Sequence, residues 1–344
     1  MAYTTIDKPT DYFNTITYSG NASTQSITGV GFQPDLNWTK GRNVGTFHML
    51  TDAVRGATKV LQSNTTTAEQ TFASGLTSFD SDGFTAGNSD DINGNYNYAS
   101  WNWKAGTTSG ITQGGASITP SSYSINATAG FSIIKWQGTN TNATIPHGLG
   151  ATPKMIIIRR LESTSDWVVY HSSVGNTSRL VLNSTGASSA NSTFFNNTSP
   201  TSTTFSVGSD GGSNGSTDNY IAYCFAEKQG YSKFGSYVGN GNADGTFVYT
   251  GFKPAFVIQK RTDGTGNWHM FDNKRDVDNV VEKRLWSNLG SAEPSSLATL
   301  DFLSNGFKWR DNTSGWNGSG TSNIYMAFAE NPFVGSNFVP NNAR

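Results

Sequence analysis

A chain of 344 residues has room for two or three domains. Its 23 Lys and Arg against 24 Asp and Glu, net charge −1, leave no broad basic face for nucleic acid or anionic lipid. Aromatic residues reach 12%, more than a disordered polar chain carries, and no apolar run approaches the length needed to cross a bilayer. The single Cys224 can form no internal disulfide, and within Tyr220-Ile221-Ala222-Tyr223-Cys224-Phe225 it reads as a small core hydrophobe. Met1 to Lys8 shows no basic segment leading into an apolar run, so no Sec-type signal is expected.

Short aromatic and β-branched runs between Gly, Asn and Ser turns predict an all-β protein. In residues 1–105 the expected strands are Tyr12 to Tyr18, then Leu36 to Lys40 after Gly31-Phe32-Gln33-Pro34, then Phe47 to Asp52 with Arg55 following. Lys59 to Asn64, the Leu76 to Phe84 hairpin and the alternating Tyr96 to Trp103 complete the unit. Residues 106–124 are rich in Gly, Ser and Thr and suit a flexible or extended linker.

The order then recurs in residues 125–229. Phe131 to Trp136 opens the unit, and Gly150-Ala151-Thr152-Pro153 precedes Lys154 to Arg159. Asp166-Trp167 to His171, Arg179 to Asn183, Thr203 to Gly208 and Tyr220 to Phe225 follow. Residues 230–333 repeat it again, with Gly251-Phe252-Lys253-Pro254 before Ala255 to Lys260, then Trp268 to Asp272 with Arg275, and Asn323 to Phe328 at the close. A tail, 334–344, ends the chain. Pro34, Pro153 and Pro254 therefore mark equivalent positions, as do Trp167 and Trp268. The expected fold is three tandem antiparallel β-sandwich-like modules, jelly-roll or lectin-like, with short helical insertions at most; Val277 to Leu289 has the best helical spacing.

Candidate chemistry is sparse. His48 and His269 each stand between an aromatic residue and Met with an Asp downstream, and are read as occupying the same strand position in units one and three. Recurrence of that kind points to the fold rather than to a single site. The pairs Asp52/Arg55 and Asp272/Arg275 have the spacing of a local ion pair that fixes the loop after a strand, with ligand contact as the alternative. Asp80-Ser81-Asp82-Gly83 and Ser209-Asp210-Gly211-Gly212 look superficially like calcium loops, but the first lacks the closing Glu and Asp-Gly is a hairpin signal. No nucleophile elbow, Walker loop, HExxH or Cys-x-x-Cys is present, so no catalytic residue, metal or cofactor is assigned. Trp309, Asp311, Asn312 and Trp316 lie in a polar Gly/Asn stretch. These indoles could stack on a sugar ring with Asp and Asn taking its hydroxyls, or equally cap the sandwich.

Taken jointly, four motifs resemble a poorly characterised repeat family of virion proteins from tailed bacteriophages, particularly phages of marine bacteria. They are Gly-Phe-x-Pro before an aliphatic strand ending in Lys or Arg, the Trp-opened strand ending in Asp, the Phe302 to Phe307 hairpin, and the aromatic closing strand. Met326 to Phe333 and the terminal Ala343-Arg344 are similar to that family's ending. Unit two departs most, with Leu149-Gly150-Ala151 and no Asp-x-x-Arg. The resemblance implies a place on the virion, in a tail fibre, tail tip or capsid surface, and no catalytic residues. Expected partners are other virion proteins and a host-surface glycan or protein, with no nucleic acid and no membrane insertion. A homo-oligomer is expected, with a trimer as the guess. Host attachment is the first reading; a decoration protein binding only virion neighbours and a polysaccharide-degrading tailspike are the rivals.

Overall fold

The computed structural model describes residues 3–294, 299–337 and 339–340. It is all-β and sandwich-like as expected: 26 strands, against one 3-10 turn at Pro9–Asp11 and two single-turn helices at Ser192–Phe195 and Gly211–Asn214. Three large antiparallel sheets share one internal order. In the first, Phe13–Ser19 lies beside the closing strand Asn97–Trp103, which lies beside Leu36–Gly41, Met49–Asp52 and Lys59–Gln62. The second places Phe131–Gln137, Asn219–Ala226, Pro153–Arg160, Val168–His171 and Ser178–Val181 in the same order, and the third places Ser232–Val238, Ser322–Pro332, Phe252–Arg261, Trp268–Asp272 and Leu285–Trp286. A small sheet covers one face of each, built on Gln25–Thr28, Ala143–Pro146 and Phe247–Tyr249 respectively. We call each large sheet with its cover a lobe.

Strand alternation gives each large sheet two buried faces. One packs on its own small sheet, as Ile134, Trp136, Ile156, Ile158 and Phe205 do in the second lobe. The other faces a core common to all three lobes, where Trp101, Trp103, Phe131, Phe225, Phe256 and Phe328 meet. Register makes Trp103, Phe225 and Phe328 equivalent: they stand opposite Leu36, Met155 and Phe256 on the matching strands. Their rings touch pairwise, with centroids 6.2, 6.1 and 5.8 Å apart. The lobes are thus arranged around a local three-fold axis rather than strung out as beads.

Two sequence expectations are corrected. The 106–124 stretch is no free spacer: Ser122–Asn126 is the outer strand of the second sheet, Thr107 bridges Ile125, and Ile118 and Pro120 are buried. Two apolar side chains in a polar run were enough to dock it. Val277 to Leu289 is not helical; Asp276 accepts hydrogen bonds from the Glu282 and Lys283 amides, Val281 bridges Leu300, and Leu285–Trp286 joins the sheet. The tail residues Ala343-Arg344 lie outside the described residues.

Truncating a side chain at the axis should be costly everywhere at once. Phe225→Ala is expected to lower unfolding free energy by about 3–5 kcal/mol, read from urea denaturation. A loss below about 1 kcal/mol would show that the axial packing is not what holds the lobes.

Candidate functional site

The Asp and Arg pairs, expected to fix a loop, sit at the seams between lobes. The side chains of Asp52 and Arg55 are wholly buried, with Arg55 Nε donating to Asp52 Oδ2 at 2.5 Å. Asp52 Oδ1 accepts the backbone N–H of Val54 and Arg55, Arg55 Nη2 donates to the Leu50 carbonyl, and Nη1 reaches Glu69. Asp52 also accepts the Tyr223 hydroxyl of lobe two at 2.8 Å. The third lobe repeats this atom for atom. Arg275 donates to Asp272, to the Met270 carbonyl and to Glu293, while Asp272 accepts Trp101 Nε1 of lobe one at 3.0 Å. In lobe two His171 takes the aspartate position, opposite Met155 as Asp52 is opposite Leu36. Its Nδ1 accepts the Ser173 N–H, so Nε2 carries the proton and donates to the Tyr325 carbonyl of lobe three at 3.3 Å.

A second series of contacts runs around the ring in the opposite sense. Trp167 Nε1 of lobe two donates to the Gln62 carbonyl of lobe one, and Trp268 Nε1 of lobe three to the Val181 carbonyl of lobe two, both at 2.9 Å. Gln62, Val181 and Trp286 are register equivalents, facing Met49, Val168 and His269. The residue of lobe one that completes the series is His48, whose Nδ1 accepts Trp38 Nε1 at 2.9 Å and whose ring lies against the Trp286 and Leu289 backbone. His48 is therefore the counterpart of Trp167 and Trp268. It is not the counterpart of His269, which aligns with Met49. The shared His-Met pair misleads by one residue, because Leu50 and Thr51 stand between Met49 and Asp52 where Phe271 alone separates Met270 from Asp272.

The strands Leu36–Gly41, Pro153–Arg160 and Phe252–Arg261, which follow or include the repeated prolines, are here called signature strands. Each carries a buried cation next to its last residue, Lys40, Arg159 or Lys260, held by oxygens near the same seams. Lys40 Nζ donates to the Gly41 and Val44 carbonyls and Thr46 Oγ1. Lys260 donates to the Thr185 and Arg261 carbonyls, and Arg159 Nη2 to the Thr67 carbonyl while its guanidinium lies over the Trp167 ring. Burial brings both lysines down to about 8 and Arg159 to about 10.

The expectation that Trp309 and Trp316 present a binding surface is overturned. Trp309 is 0% and Trp316 5% exposed, stacked on each other at 6.0 Å, with Trp316 Nε1 donating to Asp311. Asn312 is exposed beside them, but no indole face accompanies it. A recurrent signal identifies Trp316 as interior: an Asn-Gly follows Ile92, Ser213 and Trp316, in each case just before the closing strand. The three Asn side chains do one job. Asn93, Asn214 and Asn317 each use Nδ2 to bind oxygens of the turn after the opening strand, such as Asn21 Oδ1, Thr141 O and Asn242 O.

The Asp-rich loops are turns. Asp82 accepts the Gly29 and Gly31 amides, Asp80 the Ser78 and Thr85 hydroxyls, and Asp210 caps a single helical turn through Gly212 N–H.

Open clefts lie elsewhere among the described residues. One, of about 450 Å³, lies between Phe47 and Asp91 of lobe one and Gly290 and Ser291 of lobe three; burial raises Asp91 above the usual carboxylate range. Another, of about 390 Å³, lies on lobe two between the 107–112 stretch, Ile125 and the 148–150 and 202–203 turns.

A family model described as "Domain of unknown function (DUF7483)" matches residues 8–332, so the chain belongs to that family, and the one match spans all three lobes. No curated protein and no solved structure matches it.

Replacing Asp272 with Asn should leave the buried Arg275 with Glu293 as its remaining carboxylate and cost about 1.5–3 kcal/mol; an unchanged urea midpoint would refute the seam role. Burial also depresses His147 and His171 to about 4 and His269 to about 3. The unfolded chain takes up these protons near pH 6.5 while the fold resists them, so stability is full above 6.5 and falls as pH drops towards 4. At most, His147 and His171 each contribute roughly 3 kcal/mol and His269 roughly 5 kcal/mol. Melting temperature should accordingly decline from pH 7 to 5, less steeply in His171→Gln, and a flat profile would contradict the burial of neutral histidines.

Proposed function

We propose that this member of a family of unknown function is a non-enzymatic structural protein of a tailed-phage virion, displayed on the particle and taking part in host attachment. The observation that carries the reading is where the polar chemistry lies. Histidines, the Asp and Arg pairs and the strand-end cations are engaged inside lobes and at seams, where they orient one sheet against another. Much of the outer surface is loop rich in Ser, Thr, Asn and Gly, and recognition on rigid β scaffolds is usually carried by such loops. The resemblance of the repeat motifs to phage virion proteins supports the same reading. With Trp309 and Trp316 buried, attachment would use another part of that surface.

Gold-labelled antibody against the protein should decorate purified particles, and pre-incubating host cells with purified protein should slow phage adsorption several-fold. Unlabelled particles would remove the virion reading. Labelled particles with unchanged adsorption would replace attachment by decoration, and reducing ends released from host polysaccharide would replace it by a tailspike enzyme.

A further inference from the structure

The lobe-two cleft has a lining unlike the rest of the molecule. Its side chains are hydroxyl-bearing or apolar, without a titratable group among them, in a volume of about 390 Å³; small-ligand sites run from about 300 to 1,000 Å³. Thr107, Ser109, Thr112 and Ser202 are exposed there, and their hydroxyls make no hydrogen bond among the described residues. The apolar lining is the buried Ile125, the exposed Ala127 and the half-buried Ile111, whose backbone N–H is tied to Tyr123 Oη at 3.1 Å. Gly148 and Gly150 form the facing wall at φ +70° and +65°, and a Cβ on Gly150 would meet nothing within 4 Å, so backbone is bared to the cleft.

We infer that this cleft binds an uncharged saccharide. A ligand that carries both hydroxyls and C–H faces matches a lining that carries both hydroxyls and apolar side chains. A sulfated or uronic sugar would bring an anion to a site with no cation, and an amino sugar would bring a cation with no carboxylate to meet it; either loses solvation without gaining a partner. An alkyl chain would cover Ile111, Ile125 and Ala127 but strip water from four hydroxyls without replacing its hydrogen bonds. The assignment deepens the attachment reading above and rests on it for its biological meaning.

The test is ¹³C-methyl NMR of the full chain titrated with cellobiose, maltotriose, mannobiose and chitotriose, with sulfated counterparts as charged comparators. Shifts confined to Ile111 and Ile125 on adding a neutral sugar, abolished in Ser109→Trp, are the expected result. Ser109 is exposed on a loop, so the indole should fill the cleft without disturbing the core, and an unchanged melting temperature checks this. Absence of any saturable shift up to tens of millimolar sugar, tighter binding of the sulfated sugars, or saturation by a control tripeptide but no sugar would each overturn the assignment. Adsorption competition run in parallel separates the two readings. If wild type and Ser109→Trp compete equally and no sugar shifts the methyls, attachment stands and the cleft inference falls; if neither competes while sugar still binds, the cleft stands and attachment falls.

Discussion

Contact among Trp103, Phe225 and Phe328 is the constraint on which the remaining structure depends. Each belongs to a closing strand in the interior of its sheet, paired on both sides, so none can shift without moving two neighbours. Three large rings around one line exclude water and leave each large sheet with no exposed face. A lobe taken from this arrangement would present an aromatic sheet face to solvent, which soluble proteins rarely tolerate. The lobes are interdependent for that reason, and a single family model spanning residues 8–332 accords with it.

Around that axis the polar groups set orientation. Buried ion pairs contribute little net stability once desolvation is counted, but breaking one is costly, so they penalise any rotation of lobe against lobe. Lobe two shows the logic by departing from it. Where lobes one and three carry Asp, Arg and Glu, lobe two carries His171, Val174 and Ser188. The equivalence of the last is fixed by matching backbone bonds from Glu69, Ser188 and Glu293 to Leu161, Thr262 and Arg42, each on the next lobe around the ring. The whole charged set has been exchanged for a neutral one, as expected when a lone Arg or Asp at a seam would be worse than none. The seam is still closed by a hydrogen bond, now from an imidazole to a carbonyl.

The sequence made the elements legible because strand identity is local. Alternation, Gly-Pro punctuation and a terminal base located the three signature strands, and Pro34, Pro153 and Pro254 aligned the units. Ring closure was not legible, since Trp167 to Gln62 and Trp268 to Val181 are contacts between residues about a hundred positions apart whose partners are backbone carbonyls. The burial of Trp309 and Trp316 is not legible in the sequence, because a polar neighbourhood along the chain is not a polar neighbourhood in space. Asn317 is polar yet buried, its amide being satisfied by turn oxygens. His48 was displaced by one position because a shared dipeptide outweighed the count to the aspartate. The lobe-two cleft could not be read at all: the 107–112 stretch that walls it has the composition of a linker, and only its docking beside Ile125 gives it a surface.

The central claim is that three repeated sheets form one cooperative body through their shared axis. Differential scanning calorimetry of the full chain tests it most directly. The account predicts one transition whose calorimetric and van't Hoff enthalpies agree, at a size fitting the whole molecule. Two or three resolved transitions, each with the enthalpy of about a hundred residues, would contradict it.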